Sequence, residues 1–237
     1  MAYRSNRIRA TAGVEVLAPD PIPKRTTNAL LDILCLPLVA SLPRKTVELA
    51  GQSIPLHYGF RRWAWRTERC VEIALGKRAV SNYSPATVLE VGNVLPLATR
   101  CEHSVVDKYE AGPGVINEDI VDFKPSRSYE LVVSFSTLEH VGWDEMPQDP
   151  GKAAKALEVI GNLGKDLLVT IPIGHHPTLA TAFVDGPFDL VVLLRKISRS
   201  ACWVQRPIGE MESILYGQPY ACGNGILVGV RGTPLRL

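Results

Sequence analysis

The chain has few of the features that mark membrane, secreted or zinc-binding proteins. Its five cysteines are scattered, and none forms a CxxC pair, which argues against both a disulfide framework and a zinc knuckle and favours a reducing compartment. No apolar run approaches the roughly 18 residues of a membrane span, and the basic N-terminus lacks the apolar core of a secretory signal. We therefore expect a cytoplasmic protein without a membrane span.

Length and composition are those of an ordinary globular protein. The 237 residues are 46% hydrophobic and 21% charged, so collagen-like, coiled-coil and wholly disordered classes are excluded. This length predicts one generous domain or a domain with a substantial extension.

The net charge of +2 conceals an uneven distribution. Residues 1–80 carry 13 Lys and Arg against 6 Asp and Glu, residues 81–160 carry 6 against 13, and residues 161–237 carry 7 against 5. The basic first third contains GFRRWAWR at 59–66, which is compatible with a nucleic-acid surface. Because no RNA- or DNA-binding module accompanies it, nucleic acid is the less favoured partner. The alternative is a solvated helix face that docks on the acidic middle third.

Hydrophobic patterning divides the chain near residue 80. Residues 1–26 contain three prolines and no periodicity, and helical patterns follow over 27–39 and 58–78. We predict an N-terminal arm and a helical cap or lid over residues 1–80, and a core domain over 81–237.

The second part alternates apolar runs with crossover-length segments. Continuous apolar runs are typical of strands covered by helices on both faces, so we predict a doubly wound, mainly parallel α/β sheet. Three closely spaced late runs predict additional strands, some antiparallel, at one edge. The predicted strands lie in 87–92, 103–110, 115–123, 129–135, 166–173, 188–196, 201–206 and 225–231, with a helix over 149–163.

Polar residues and a glycine stand where these strands end, and doubly wound sheets bind ligands at that edge. Glu90 and Gly92 end the first strand. Asp107 ends the second, where a carboxylate can accept both hydroxyls of a ribose. The third run offers polar groups and Ile120 for a base, and the fourth continues into STLEHVGWDE at 136–145.

These motifs, in this order over residues 88–174, resemble those of the class I S-adenosylmethionine-dependent methyltransferases. VLEVG is similar to the family's first motif, VVDKYE to the acidic end of its second strand, NEDIVDF to its adenine-contacting turn and YELVVSFSTLEHVG to its fourth strand. The resemblance implies a Rossmann-like methyltransferase fold that binds S-adenosyl-L-methionine. The implied cofactor contacts are Glu90, Gly92, Asn93, Asp107, Lys108, Asp119, Ile120, Ser136 and Leu138.

The first loop departs from the family, because Gly92 is followed by NVLP and not by further glycines. The GxGxxG geometry that seats a pyrophosphate on a helix N-terminus is missing, which argues against a dinucleotide. A sulfonium cofactor carries no phosphate, and its positive charge suits the acidic middle third. The missing glycines leave open a degenerate methyltransferase fold that serves as a binding or scaffold protein.

A narrower resemblance concerns the acceptor. VLEVGNVLP, DKYE, STLEHVGWDE and WVQR together resemble the sugar- and polysaccharide-modifying O-methyltransferases of bacteria, such as those of mycobacterial methylmannose polysaccharide synthesis. This implies methyl transfer to a hydroxyl of a sugar, an oligosaccharide or another small molecule. A nucleic-acid methyltransferase is the alternative that the basic first third suggests, and formation of a homodimer is left open.

Methyl transfer to oxygen needs a group that removes the acceptor's proton. We predict His140 as this base, with Glu139 beside it, because unperturbed histidine titrates near neutrality. The alternative for His140 is a structural turn residue. A magnesium ion on Asp144 and Glu145 is an option, weighed against acids that simply favour a helix N-terminus. The predicted acceptor contacts are Tyr58, Trp143, Asp144, His175 and His176.

Overall fold

The computed structural model describes residues 45–49, 51–59, 64–199 and 201–235. The predicted arm and the predicted helix over 27–39 lie outside this part of the chain. The strands are β1 (Thr46–Leu49), β2 (Gln52–Pro55), β3 (Val88–Val91), β4 (Ser104–Val106), β5 (Val115–Ile116), β6 (Tyr129–Phe135), β7 (Gly164–Pro172), β8 (Leu190–Ser198), β9 (Cys202–Arg206) and β10 (Gly225–Arg231). The α-helices are α1 (Arg69–Val80), α2 (Lys152–Leu163) and α3 (Leu179–Val184).

Eight strands form one sheet in the order β5-β4-β3-β6-β7-β10-β8-β9. The five strands from β5 to β7 are mutually parallel, while β10 runs antiparallel to both β7 and β8. Strands β1 and β2 form a separate antiparallel hairpin. The predicted fold class, a doubly wound and mainly parallel α/β sheet, is confirmed.

Two hydrophobic clusters sandwich the sheet. In β6, Leu131 and Val133 face the cluster that contains α1, whereas Val132 faces the cluster that contains α2 and α3. Successive strand residues point to opposite faces, so both faces of β6 are buried. The buried positions of α2, Ala153, Ala156, Leu157 and Ile160, follow a helical repeat and form the face that packs on the sheet.

The segment between β3 and β4, which has the length of a helical crossover, forms only a 3-10 turn over Leu95–Leu97. The three late strands lie together at one end of the sheet, as predicted, in the order β10-β8-β9, and β10 joins them to β7.

Residues 64–80, the end of the predicted cap or lid, contain helix α1, which is largely buried. Helix α1 begins at Arg69, later than predicted, and buries Cys70, Val71 and Leu75 completely. It packs so closely that a Cβ on Gly76 would lie 2.6 Å from Leu95 Cδ2 and 2.8 Å from Phe135 Cζ. Moving this helix as a lid would open the core. Among the described helices, none has the length and apolar character needed to cross a membrane.

Candidate active site

The strand order reverses between β3 and β6. Strands β4 and β5 lie on one side of β3, and β6 lies on the other. Such a switch point opens a crevice at the carboxyl ends of the strands. Gly92 ends β3 with a φ of +88°, and a Cβ there would overlap the side chain of Thr137. Ser136, which follows β6, also has positive φ, at 41°, and such strain in a non-glycine residue is concentrated at functional sites.

Glu90 is fully buried and organises the first loop. Its Oε1 accepts hydrogen bonds from the backbone N–H groups of Val94 at 2.9 Å and Leu95 at 2.7 Å. Its Oε2 lies 2.8 Å from His103 Nε2. Both oxygens are therefore engaged within the chain, and this geometry favours a role in shaping the loop over direct contact with a cofactor.

Asp107 fixes the turn after β4 and joins it to the first loop. Its Oδ2 accepts a long bond of 3.2 Å from the Asn93 amide, and its Oδ1 accepts from the amides of Tyr109 and Glu110 at 2.9 and 2.7 Å. Because an ionised carboxylate offers about four acceptor positions and three are in use, Asp107 can still accept from one further hydroxyl. Asn93 also has a buried Oδ1 without a partner in the described residues.

An ion cluster joins the ends of β4, β5 and β6 to the start of α2. It consists of Lys108, Asp119, Glu145 and Lys152. Asp119 Oδ2 lies 2.9 Å from Lys108 Nζ and 2.5 Å from Lys152 Nζ, and Glu145 Oε2 lies 3.1 and 2.7 Å from the same two atoms. Burial opposes ionisation, but the hydrogen bonds from the two lysines outweigh it and lower the pKa of Asp119 and Glu145. Two ammonium groups at Glu145 oppose binding of a divalent cation there, so the magnesium option on Asp144 and Glu145 does not fit.

Ile120 and Leu138, predicted to line the cofactor pocket, are 5% and 0% exposed and belong to the hydrophobic cluster on the α2 face. They pack beneath the strand tips. Their described environment is that of core residues.

A buried polar group lies under the tips of β6 and β7. Arg69 Nη1 donates to Glu72 Oε2 at 2.7 Å and to the carbonyl of Phe135 at 2.8 Å. Glu72 Oε1 accepts from the hydroxyls of Ser136 and Thr170. Ser136, a predicted cofactor contact, therefore uses its hydroxyl to tie β6 to α1.

Two further carboxyl groups adjoin this ion pair. Burial raises the pKa of Glu139 well above its ordinary value, and burial followed by repulsion from Glu72 raises that of Glu68. Glu139 Oε2 has no hydrogen-bond partner in the described residues, whereas Glu68 Oε2 accepts from the amide of Gly223 at 3.1 Å. The result is a buried group of three carboxyl side chains, in which one oxygen of Glu139 has no partner in the described residues.

His140 and Asp144 form a close pair after β6. The ring Nδ1 lies 2.6 Å from Asp144 Oδ2, and Nε2 lies 3.5 Å from Glu139 Oε1. At the shorter contact, the Nδ1–H group donates a hydrogen bond to the carboxylate of Asp144. The lone pair of Nε2 is then available. About half of each side chain is exposed, so a substrate can reach the pair.

His175 lies against His140, whereas His176 does not. The His140 and His175 ring centroids are 4.7 Å apart, and the Tyr216 ring centroid is 5.0 Å from that of His175. Burial, reinforced by His140, lowers the pKa of His175. His176 is buried, and its Nδ1 accepts from the amides of Thr178 and Leu179 at 3.3 and 3.1 Å, so it organises the start of α3.

Trp143 is half-buried with its ring 5.4 Å from that of His176, which leaves part of its face available near the histidines. Tyr58, a predicted acceptor contact, lies elsewhere. Its hydroxyl accepts from the Lys45 amide, and its ring packs against the core cluster that contains α1 and β9. The structure thus separates Tyr58 from the histidine cluster.

Sequence reasoning missed Glu68 and Thr170 in the buried polar group. Neither lies in a motif, and their placement depends on α1 packing across β6 and β7. The sequence carries one signal, which is Glu72. This glutamate stands on α1 near Arg69, at a position where a helix normally buries an apolar residue.

Several polar groups at the strand ends suit the binding of S-adenosyl-L-methionine. Asp107 has spare acceptor capacity, Asn93 Oδ1 and Glu139 Oε2 lack partners in the described residues, and further carboxyl groups are buried under the tips of β6 and β7. These features fit a cationic nucleoside cofactor.

No protein-family model matches the chain, and no curated protein matches it. Among solved structures, it is similar to the N-methyltransferase NodS of Bradyrhizobium japonicum WM9 in complex with S-adenosyl-L-homocysteine, at 14% identity and a TM-score of 0.44 over 69% of this chain and 85% of that one. It is also similar to the magnesium protoporphyrin IX methyltransferase ChlM of Synechocystis PCC 6803 with bound S-adenosylmethionine, at 13% and 0.39 over 70% and 79%. A third likeness is to an S-adenosylmethionine-dependent methyltransferase of Clostridium acetobutylicum ATCC 824, at 11% and 0.36 over 87% and 100%. Because these likenesses are distant, the function rests on the geometry of the site.

Proposed function

We propose that this chain transfers the methyl group of S-adenosyl-L-methionine to a hydroxyl of a sugar or oligosaccharide, with His140 as general base. The observation that carries the proposal is the His140–Asp144 pair, 2.6 Å apart at the end of β6, beside the crevice that Asp107 borders. The resemblance of STLEHVGWDE and WVQR to bacterial sugar O-methyltransferases supports the acceptor class.

The cofactor, when bound, supplies an electrophilic methyl group on a positively charged sulfur. Asp107 would accept a hydrogen bond from a ribose hydroxyl, and the carboxyl groups around Glu139 would favour the positive charge. Asp144 would hold the proton on His140 Nδ1, so that Nε2 could take the proton of the acceptor hydroxyl. The half-exposed face of Trp143 is suited to pack against a sugar ring.

Asp107 should dominate recognition of the nucleoside. We expect Asp107→Ala to weaken binding of S-adenosyl-L-homocysteine roughly 10- to 100-fold, because hydrogen bonds to a charged group contribute about 1.5–3 kcal/mol. Isothermal titration calorimetry measures this, with the exposed Asp185→Ala, outside the motifs, as the matched control. Equal affinity in the two variants would contradict the role of Asp107, and the absence of binding by the unaltered protein would favour the scaffold alternative.

The acceptor class can be tested directly. We expect methyl-labelled cofactor and a panel of mannose- and glucose-containing oligosaccharides to yield a product that gains one methyl group on oxygen, located by tandem mass spectrometry. Label recovered only in RNA or DNA, with steep loss as salt rises, would favour the nucleic-acid alternative. Label on nitrogen in an amino sugar would overturn O-methyl transfer.

A further inference from the structure

We propose that His140, Asp144 and His175 bind a divalent first-row transition-metal ion, and that the bound ion blocks His140 as a base. The three side chains come from the loops after β6 and β7. One possible ligand atom on each lies within 4.8 Å of the other two. The first two side chains are about half exposed, so both can turn toward a common ion.

The donor set selects the class of cation. Two imidazole nitrogens and one carboxylate suit zinc, cobalt or iron, whereas magnesium prefers oxygen ligands alone. Ligand atoms lie about 2.0–2.2 Å from a zinc ion, so two of them stand at most about 4.4 Å apart. Small side-chain rotations bring the cluster within that limit.

A second observation points to a ligand at this cluster. His175 Nδ1 is buried and has no hydrogen-bond partner among the described residues. Buried ring nitrogens normally have a partner, and a metal ion bound through Nδ1 would provide one. The carboxyl group of Glu139, 3.5 Å from His140 Nε2, places another oxygen donor next to the cluster.

The described residues contain one competing cluster, Glu90 with Cys101 and His103. Its carboxylate already accepts hydrogen bonds from the amides of Val94 and Leu95 and contacts His103. It also includes a thiol, which gives it a distinct spectroscopic signature and makes it a useful internal control.

Metal binding and proton removal compete for the same lone pair. An ion on Nδ1 of His140 displaces the hydrogen bond to Asp144, and an ion on Nε2 occupies the lone pair. Either outcome prevents His140 from taking the acceptor's proton. This consequence rests on the proposed function, whereas the binding site itself does not.

Cobalt titration of the full chain, followed by visible absorption, tests the site without cofactor or acceptor. We expect one Co²⁺ per chain, no thiolate-to-cobalt charge-transfer band, and displacement by Zn²⁺. Outer-shell partners of a metal ligand are worth 10- to 100-fold in affinity, so His175→Ala should weaken binding about 100-fold or more. His57→Gln, which removes a histidine outside the cluster, and Cys101→Ser should bind as the unaltered protein does.

The site is overturned if Co²⁺ does not bind, if a thiolate band appears, or if His175→Ala binds with unchanged affinity. The inhibitory role is tested separately in the methyl-transfer assay, where Zn²⁺ should inhibit and a chelator should restore turnover. Zinc that binds at this cluster without inhibition, or that activates, would overturn the inhibitory role and leave the site standing. A protein that binds metal at this cluster but transfers no methyl group to any saccharide would contradict the proposed function only.

Discussion

Replacing His140 with alanine is expected to leave binding of S-adenosyl-L-homocysteine unchanged and to lower the rate of methyl transfer by roughly 10²–10⁴-fold, the usual contribution of a general base. The ring contacts Asp144, Glu139 and His175 and lies outside the Asp107 turn, so cofactor binding should not depend on it. Single-turnover assays at saturating cofactor measure the loss.

His57→Gln is the matched control for His140→Ala, because it also removes a half-buried histidine. His57 lies against α1, where its backbone amide donates to the carbonyl of Cys70. Asp144→Asn should give an intermediate loss, since the amide oxygen can still accept from Nδ1 but carries no charge. Turnover by His140→Ala at the level of the unaltered protein would remove the base assignment and favour a structural turn histidine.

The second large effect concerns the buried ion pair. We expect Arg69→Met to lower the free energy of unfolding by about 3–5 kcal/mol, because it leaves the charge of Glu72, whose side chain is 0% exposed, without its partner. Urea-induced unfolding followed by circular dichroism measures the change.

Arg69→Met combined with Glu72→Gln should recover much of the stability lost in the single variant, since neutralising the second partner removes the unpaired charge. Arg100→Met, which removes an exposed arginine 3.9 Å from Glu102, should leave stability nearly unchanged. A single Arg69→Met variant as stable as Arg100→Met would show that the buried pair contributes little.

The strands were predictable because a run of consecutive apolar residues indicates a strand that is buried on both faces. The run GILVGVR at 225–231 is β10 without any change of boundary, since a strand buried on both faces must be apolar throughout. The start of α1 was not predictable in this way. This helix is buried on most of its circumference, so no polar face marks where it begins.

The site was predictable only at the level of its loops. The motif order points to the ends of β3, β4 and β6, but the contacts of each carboxylate depend on residues far along the chain. Glu90 pairs with His103, and Asp119 pairs with Lys152, which is 33 positions away. The proximity of His140 to His175 likewise depends on β6 and β7 lying side by side, which no local pattern encodes.

The position of β10 has a consequence for the order of assembly. Its partners β7 and β8 both precede it in the chain, and among the described strands β10 is the one that joins the β8–β9 pair to β7. During synthesis, one edge of β7 and one edge of the β8–β9 pair therefore remain unpaired until β10 is made and inserts between them. Unpaired edges invite pairing with other chains, so the nascent protein is most exposed to intermolecular association just before this insertion.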